Sequence, residues 1–422
     1  MNYRYLTLIC MVALFSTFVI PQNYWSLQTS GVTTTLNCIK VVDNNVAWAA
    51  GDSGVVIRTI DGGITWASVG GGNIGDNIIW NIDAIDENIA LVTFTSPSIT
   101  YLYRTTNGGV DWQLVYSQSG GFINDMHMID QLNGIAYGDP VGGKWTVIRT
   151  NDGGASWNRI LTEPTPNGSE LGIYYNSLCV TDSLHIWFLG DHRVYRSIDG
   201  GITWSYSTTT NYFLSIWFNT NAIGMASTNV PQNSESSVDS GKTWNSTSFP
   251  GGFAYAMAGS GLRDFWYASG LHVYHTSNYG SSWSSEMVML NGDFFAIDFV
   301  TIGDTAIGYV GGTNGSLARF DGPITSVNSI PNVLSKYSLE QNYPNPFNPT
   351  TTINFSVPYT QNVTINVFDA LGNIVLNLYD EETSPGKYEL KFDGSDLSSG
   401  IYFYQMQAFG NYMVTKKLVL LK

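Results

Sequence analysis

The chain has 422 residues, of which 12% are charged and 14% are aromatic, and its formal net charge is −15. This length is sufficient for two or three domains. With 18 Lys and Arg against 33 Asp and Glu, the chain lacks the basic surface that a phosphate backbone requires, so nucleic acid is excluded as a partner. The abundant Gly and aromatic residues and the few charges favour an all-β protein.

Residues 1–22 have the pattern of a signal peptide. Arg4 precedes an apolar run, Leu6 to Ile20, which is short for a membrane-spanning helix. No later apolar run is long enough to span a membrane. We therefore expect an exported mature chain without a membrane span, in which Cys38 and Cys179 are the remaining cysteines.

One short motif, Ser/Thr-x-Asp/Asn-x-Gly-x-x-Trp, occurs six times between residues 59 and 283. Its acid or amide recurs every 39 to 47 residues. A period of this length is typical of a β-propeller with four strands in each blade. The acid or amide and the Trp of the six copies are Asp61 and Trp66, Asn107 and Trp112, Asp152 and Trp157, Asp199 and Trp204, Asp239 and Trp244, and Asn278 and Trp283.

The motif is predicted to form the hairpin between the third and fourth strands of each blade. In the first period, residues 36–43, 45–51 and 54–60 are predicted strands, and residues 65–70 begin the fourth. Gly supplies the positive φ of the turn, and the Asp or Asn oxygen accepts backbone N–H groups. Because Asn replaces Asp at two copies and cannot transfer protons, the repeated position is interpreted as structural, not catalytic.

The six copies resemble the Asp-box, or bacterial neuraminidase repeat, of sialidases and other propellers. The segment 134–157, which contains the third copy, is most similar to propellers of the photosystem II stability and assembly factor type. The resemblance covers about residues 24 to 325. It implies a propeller in which the motif holds each hairpin together.

The two ends of the repeat region complement each other. A seventh, broken copy at Asp321 lacks the Trp and the strand after it, whereas residues 23–31 match the segment that follows each motif. Trp25 is in phase with Trp66. We therefore predict that the N-terminal strand completes the last blade of a seven-bladed propeller over residues 23–322. Cys38 and Cys179 then fall on blades 1 and 4, too far apart for a disulfide.

A separate module follows the repeats. Residues 323–336 are predicted to be a linker, and the alternating runs and turn within residues 337–422 predict a small β-sandwich. The sequences at 342–349, 369–372, 398–402 and 415–422 resemble the type A sorting domain of the type IX secretion system. This resemblance implies export, with the type IX machinery as a partner of residues 337–422, to the medium or the outer cell surface.

Enzymes built on Asp-box propellers need residues that this sequence does not place together. Sialidases clamp their substrate with three arginines, whereas the four arginines at 58, 104, 149 and 196 of this chain each precede a motif Ser/Thr and are repeat residues of outer strands. Xyloglucanase-like enzymes place a carboxylate pair in a cleft between two propellers, whereas this sequence predicts only one propeller. His272 and His275 face opposite sides of a strand, and no spacing typical of zinc or calcium ligands is present. We predict no catalytic residue, no metal site and no cofactor.

The loops between the second and third strands are the candidate binding region. They place Asp52, Asp139 and Asp191 at matching positions. Two interpretations remain open: these carboxylates cap their turns, or they point to a pocket at the mouth of the central channel. The other candidate residues of that pocket are Glu170, Tyr175, Arg193 and Trp217.

Two functions are compatible with this sequence. The first is a secreted or surface-displayed, non-catalytic propeller that binds a glycan or a protein. The alternative is a secreted glycoside hydrolase that acts on polysaccharide with carboxylates at the channel mouth. The two differ in one requirement, because a hydrolase needs two carboxyl groups about 5–10 Å apart across a cleft.

Overall fold

Seven sheets, each of four antiparallel strands, form the first part of the protein. The computed structural model describes residues 24–173, 176–288, 292–324, 338–357, 361–383, 386–408 and 412–422. The predicted signal peptide and most of the predicted linker lie outside these residues. In the described part of the chain, no helix has the length and apolar character needed to cross a membrane.

Each sheet is one blade, and its four strands follow one another from the inner strand at the channel to the outer strand. Blade 1 is Leu36–Val41, Ala47–Gly51, Val56–Thr59 and Ala67–Ser68. Blade 2 is Asn81–Ala84, Ala90–Thr95, Ile99–Thr105 and Gln113–Ser119. Blade 3 is Ile123–Met128, Gly134–Val141, Lys144–Thr150 and Asn158–Arg159. Blade 4 is Leu178–Val180, Ile186–Leu189, Arg193–Ser197 and Ser205–Thr208.

The remaining blades have the same arrangement. Blade 5 is Phe213–Phe218, Gly224–Thr228, Asn233–Ser237 and Asn245–Ser248. Blade 6 is Ala256–Ser260, Asp264–Ser269, His272–Thr276 and Ser284–Val288. Blade 7 is Phe294–Ile302, Thr305–Gly312, Leu317–Pro323 and, from the other end of the chain, Trp25–Leu27. Short 3₁₀ turns occur at Asp52–Gly54, Gly72–Ile74 and Thr313–Gly315.

The N-terminal strand closes the ring, as predicted. Trp25 pairs with Phe320 in the third strand of blade 7. The Trp25 side chain is buried, and its ring lies 6.1 Å from Trp266 and 5.3 Å from Phe320 between ring centroids. The prediction of seven blades is therefore confirmed. The third strand of blade 7 includes Pro323, which the sequence assigned to the linker.

The apolar core lies between neighbouring blades. The second strand of blade 1, Ala47–Gly51, is buried at every residue because blades cover both of its faces. Between blades 1 and 2, the rings of Trp48 and Trp112 meet edge to face with their centroids 6.4 Å apart. The Trp112 indole also donates from Nε1 to the Val69 carbonyl, at 3.1 Å. A motif Trp therefore packs against the preceding blade as well as beside its own hairpin.

The motif hairpins are held by their own side chains. In the first copy, Asp61 accepts hydrogen bonds from the Thr65 N–H at 2.9 Å and the Thr65 hydroxyl at 2.6 Å. The Thr59 hydroxyl donates to Asp61 at 2.8 Å and accepts the Gly63 N–H at 2.8 Å. The hydroxyl of Thr65 is the main reason that the pKa of Asp61 is lowered.

In the second copy an amide, Asn107, accepts the hydrogen bonds that correspond to those of Asp61. Asn107 Oδ1 accepts the Thr105 hydroxyl at 3.0 Å and the Asp111 N–H at 2.9 Å. The Asn107 amide nitrogen then donates to the Asp111 carboxylate at 2.9 Å. The contacts that this position makes are hydrogen bonds within the turn, and they require an acceptor oxygen but no titratable proton.

Both cysteines of the described chain are free thiols. Cys38 lies on the inner strand of blade 1, and Cys179 on that of blade 4. Burial raises the pKa of Cys179 to about 12, so the thiol stays protonated and is a poor nucleophile.

The C-terminal module packs two antiparallel sheets against each other. One sheet contains Ser338–Leu339, Thr350–Val357 and Gly386–Asp393 in that order. The other contains Ile374–Thr383, Gln361–Phe368, Gly400–Ala408 and Tyr412–Leu420 in that order. Phe355 from the first sheet and Val367, Tyr404 and Leu418 from the second belong to one buried cluster. The predicted β-sandwich is confirmed.

The predicted turn of the sandwich and its proline-rich segment, residues 342–349, both have clear local causes. Asp369 accepts the N–H groups of Leu371 at 2.8 Å and Asn373 at 2.9 Å, which fixes the turn between two strands. In the proline-rich segment, the Asn342 amide donates to the Thr351 hydroxyl at 3.0 Å, and Asn345 Oδ1 accepts the Val419 N–H at 2.8 Å. Side-chain amides therefore order a segment whose prolines cannot donate backbone hydrogen bonds.

Replacing Trp25 tests the closure of the ring. We expect Trp25→Ala to lower the free energy of unfolding by about 3–5 kcal/mol, because it leaves a cavity against Trp266 and Phe320. Urea denaturation of the full chain measures this. Leu27→Ala, on the same strand but 64% exposed, is the control and should cost less than about 1 kcal/mol. Equal losses in the two variants would contradict the assigned role of Trp25.

Candidate ligand-binding face

The two ends of the propeller carry different loops. Leu36, at the start of an inner strand, pairs with Gly51, so the loop that follows the second strand lies at the same end as the loop that enters the blade. We call this end the loop face. At the other end, the Gly62 N–H donates to the Asn45 carbonyl at 2.9 Å, which places the motif hairpin beside the loop between the first two strands. We call this end the motif face.

The three predicted carboxylates, Asp52, Asp139 and Asp191, lie at the loop face, and two of them accept a hydrogen bond there. Asp52 Oδ1 accepts the Asn37 amide at 2.9 Å. Asp139 Oδ1 accepts the Gly172 N–H at 2.9 Å. Burial, and to a smaller extent the charge of half-buried Asp191, raises the pKa of Asp139. Asp52 therefore contacts the inner strand of its own blade, whereas Asp139, at the end of the second strand of blade 3, contacts the loop that leads into blade 4.

Glu170 is buried in the loop that leads into blade 4. Its Oε2 accepts the Tyr195 hydroxyl at 2.6 Å and the Asn167 N–H at 3.0 Å. A Cβ on Gly190 would lie 2.2 Å from Glu170 Oε1, so the carboxylate packs against a backbone that has no room for a side chain. Glu170 therefore ties the loop to the blade beneath it.

The structure does not bring Arg193 or Trp217 to the channel mouth. The Arg193 guanidinium lies 4.0 Å from the centre of the Tyr206 ring, which is on the outer strand of blade 4. Trp217 is near the end of its inner strand, and its Nε1 donates to Asn219 Oδ1 at 2.9 Å, towards the motif face. Tyr175 lies outside the described residues. Arg193 is thus close enough to Glu170 for their charges to interact, whereas Trp217 lies at a different level of the propeller.

A charged group on the inner strands was missed by the sequence analysis. We call Lys40, Asp83, His127 and Asp298 the axial cluster. Lys40 Nζ on blade 1 lies 3.4 Å from Asp83 Oδ1 on blade 2 and 3.9 Å from Asp298 Oδ2 on blade 7. His127 Nδ1 on blade 3 lies 3.8 Å from Asp83 Oδ2. One lysine therefore bridges the blades on either side of it.

Backbone contacts and charge explain how the axial cluster tolerates burial. Asp298 accepts the Val41 N–H at 2.8 Å, and Asp83 accepts the Met128 N–H. Burial alone would lower the pKa of Lys40, but the charges of Asp83 and Asp298 outweigh it and hold this pKa above its usual value. The cluster is a network of satisfied charges across four blades.

A small polar cavity of about 50 Å³ lies in the channel beside the axial cluster. Its walls include Asn37, Cys38, Asn81 and Asp125. Burial raises the pKa of Asp125 to about 7, although the N–H groups of Leu178, Met126 and Ser177 oppose the shift. A cavity of this size holds water molecules and has no room for a sugar ring or a peptide.

A larger depression of about 440 Å³ lies on the loop face at blade 6. We call it the rim groove, and it is lined by Gly252, Phe253, Tyr255, Ser269, Gly270, Leu271, His272, Tyr274 and Asp293. Phe253 is 39% exposed and Leu271 is 37% exposed. The ring centroids of Phe253 and Tyr255 are 6.1 Å apart, and those of Tyr255 and Phe295 are 5.8 Å apart. Aromatic side chains therefore continue from the groove to the inner strand of blade 7.

Within the described ranges, no three His, Cys, Asp or Glu side chains are grouped as a metal site would need. His275 Nε2 instead lies 2.6 Å from Asp264 Oδ1, and its ring stacks on Trp266 with centroids 4.0 Å apart. This histidine belongs to the packing of blade 6.

The axial lysine gives a stability prediction. We expect Lys40→Met to lower the free energy of unfolding by about 2–3 kcal/mol, because it leaves two buried carboxylates without their cation. Urea denaturation measures the loss, and adding Asp298→Asn should recover part of it. Lys144→Met, at an exposed lysine, is the control and should change stability by less than about 0.5 kcal/mol. A fully stable Lys40→Met protein would contradict this assignment.

His127 gives a pH prediction. Burial and the Lys40 charge lower the pKa of His127 from 6.5 to about 4, so the unfolded chain binds this proton first as the pH falls. The free energy of unfolding should therefore fall between about pH 6.5 and pH 4, and His127→Gln should remove that contribution. Asp125 acts in the opposite direction in both proteins, because its raised pKa favours the folded state at low pH. Urea denaturation at the two pH values tests this, and equal pH dependence in both proteins would refute it.

Comparisons with known proteins were made for the propeller and for the C-terminal module. The solved structure "YCF48 bound to D1 peptide" is 17% identical, with a TM-score of 0.57, and the match covers 73% of this chain and 99% of that chain. YCF48 from Cyanidioschyzon merolae is 17% identical, with a TM-score of 0.55, and the match covers 70% of this chain and 98% of that chain. These likenesses support the propeller fold. Curated proteins gave no match.

PorZ, a surface component of the type IX secretion system of Porphyromonas gingivalis, is 14% identical with a TM-score of 0.46, and the match covers 91% of this chain and 59% of that chain. A family model described as "Secretion system C-terminal sorting domain" matches residues 341–421. The predicted sorting domain is therefore confirmed, and it indicates secretion to the cell surface or beyond. The chain thus combines a seven-bladed β-propeller with a secretion-system C-terminal sorting domain.

Proposed function

We propose that this protein is an exported, non-catalytic recognition protein whose propeller binds a segment of another protein in the rim groove. The observation that carries this proposal is the exposure of Phe253 and Leu271 in a groove of about 440 Å³. Ligand pockets have volumes of roughly 300–1,000 Å³ and mostly apolar walls with a few polar groups. The rim groove has this size and this composition.

The chemistry of the groove favours a peptide over a sugar. Phe253, Leu271 and Tyr274 offer an apolar surface for one side chain, and Asp293 at the border can pair with a basic one. The similar propeller YCF48 has been solved bound to D1 peptide, so a propeller of this fold can hold a peptide. We therefore expect a segment in which an apolar residue is close to Lys or Arg.

The alternative function as a glycoside hydrolase has less support. Such an enzyme requires two carboxyl groups that face each other across a cleft and are open to substrate. Asp139 and Glu170 instead accept backbone hydrogen bonds from their loops, and Asp52 accepts the side-chain amide of Asn37. These contacts favour recognition over hydrolysis.

An array of randomised peptides probed with the full mature chain tests the proposal. We expect the selected peptides to combine an apolar residue with Lys or Arg. Phe253→Ala should weaken their binding by about tenfold or more, the loss typical of an aromatic residue at the centre of an interface. Leu161→Ala removes a fully exposed apolar side chain elsewhere and is the matched control.

The outcome distinguishes between ligand classes. Binding that survives Phe253→Ala would contradict the assignment of the site. If no peptide on the array binds, and if the protein binds a glycan in a way that Phe253→Ala abolishes, the ligand of the rim groove is a glycan and not a protein. In each comparison the two variants must have the same melting temperature as the parent protein.

A further inference from the structure

At one position of the blade repeat, blade 5 has an acidic residue, whereas the other blades have an apolar or aromatic residue. It lies on the third strand, two residues before the motif Ser or Thr. In the other blades with a complete motif this position is occupied by Ile57, Tyr103, Ile148, Tyr195 and Tyr274. In blade 7 the equivalent residue is Ala318, which pairs with Val310 as Ile57 pairs with Ala49. In blade 5 it is Glu235, which is only 6% exposed. A carboxylate therefore occupies a site that the repeat otherwise uses for its core.

This position faces the preceding blade. Ile148 of blade 3 packs in one cluster with Leu91 and Leu102 of blade 2. The ring of Tyr195 in blade 4 lies 5.4 Å from that of Trp145 in blade 3, between centroids. Glu235 accordingly points towards blade 4. Its side chain is too short and too polar to fill the space that a tyrosine fills elsewhere.

The residues beside Glu235 are also atypical. Ser234 replaces the Val or Leu that the other blades carry, and Ser236 replaces the usual Arg or His. A cleft of about 610 Å³ opens between blades 4 and 5 at this point. We call it the blade 4–5 cleft, and it is lined by Tyr206, Ser207, Thr208, Thr209, Thr210, Glu235, Lys242, Thr243, Trp244 and Ser246.

Two aromatic side chains form apolar walls in this cleft. Tyr206 is 55% exposed, and the Arg193 guanidinium lies against its ring at 4.0 Å from the centroid. Trp244 is held in place because its Nε1 donates to the Ser207 hydroxyl at 3.0 Å. The rest of the lining is rich in hydroxyl groups, which can donate or accept hydrogen bonds. The cleft therefore combines a carboxylate, two aromatic rings and several hydroxyls.

Glu235 is costly for the fold. Burial raises the pKa of its carboxyl group, and a hydrogen bond from the Asn211 side chain opposes the shift only in part. An isoleucine, as in blades 1 and 3, would fill the interface without this desolvation cost. A buried carboxylate that weakens the interface and borders a cavity is a candidate for ligand binding.

We propose that the blade 4–5 cleft is a carbohydrate-binding site in which Glu235 accepts hydrogen bonds from sugar hydroxyls. Tyr206 and Trp244 contact the C–H faces of the ring, and the Thr and Ser hydroxyls bind the remaining polar groups. Lys242 and Arg193 beside the cleft disfavour a basic peptide, and the hydroxyl-rich lining favours a polyhydroxyl ligand. The site is separate from the rim groove and does not depend on the function proposed for it.

A glycan array probed with the full mature chain and three variants tests this proposal. Glu235→Ile restores the residue of blades 1 and 3, so it should abolish glycan binding while raising the melting temperature. Glu235→Gln keeps the shape and should weaken binding of the best glycan by about tenfold or more, as expected from the loss of a charge-assisted hydrogen bond. Asp76→Asn removes an equal charge at an exposed loop residue and is the control, with unchanged binding.

Each outcome decides the proposal. If the measured melting temperature of Glu235→Ile equals or exceeds that of the parent protein, a loss of binding in that variant cannot be attributed to unfolding. The absence of any bound glycan, or glycan binding that Glu235→Ile leaves intact, overturns the proposal. The peptide array described above is probed with the same variant. If Glu235→Ile loses peptide binding and keeps glycan binding, the proposal is overturned and the cleft is assigned to a protein ligand.

Discussion

The pairing of Trp25–Leu27 with the last blade is the constraint on which the propeller depends. A ring of blades resists opening when the two ends of the chain share one blade, and in this protein one short N-terminal strand completes blade 7. Blades 7 and 1 are also joined near the axis by an ion pair, because Lys40 on blade 1 contacts Asp298 on blade 7. Lys40 also contacts Asp83 on blade 2. Outer strands and inner strands therefore both contribute to closure.

Closure near the axis also uses backbone groups. Asp298, Asp83 and Cys179 lie on the inner strands of blades 7, 2 and 4, and each accepts the N–H of a residue on the next inner strand. These contacts satisfy backbone groups that face the channel, where a missing partner would be costly. The axial polar residues are thus part of the framework, which explains why the ligand-sized cavities lie elsewhere.

Sequence periodicity predicted the blades because the motif makes the same hydrogen bonds wherever it occurs. The phase of Trp25 was sufficient for the closing strand, since a Trp at that spacing has a fixed place in the repeat. The axial cluster was not predictable in this way. An irregularity in strand pairing at Asn37, and another at Phe295, changes which inner-strand residues face the channel, and this depends on the neighbouring blades.

For the candidate binding residues, too, the sequence did not reveal contacts that depend on neighbouring strands and loops. Asp52 lies in the predicted loop, whereas the second strand of blade 3 extends to Val141 and includes Asp139, which the sequence had placed in a loop. Sequence alone did not reveal the partners that the two carboxylates bind. Trp217 lies towards the other end, because position along a strand decides the level of a side chain in the propeller. Glu235, in contrast, could have been found by aligning third strands, since it is an acid in an otherwise apolar column.

The strand that closes the ring has a consequence for the order of folding. Ser26 meets Arg319 across a sequence separation of 293 residues, so the last sheet cannot be completed while a growing or translocating chain lacks either end of the repeat region. Contacts of such long range form late and slowly. Until they form, blade 7 exposes the edge of its third strand, a surface prone to pairing with other chains. Delivery of the whole repeat region before final closure is therefore a requirement of this architecture.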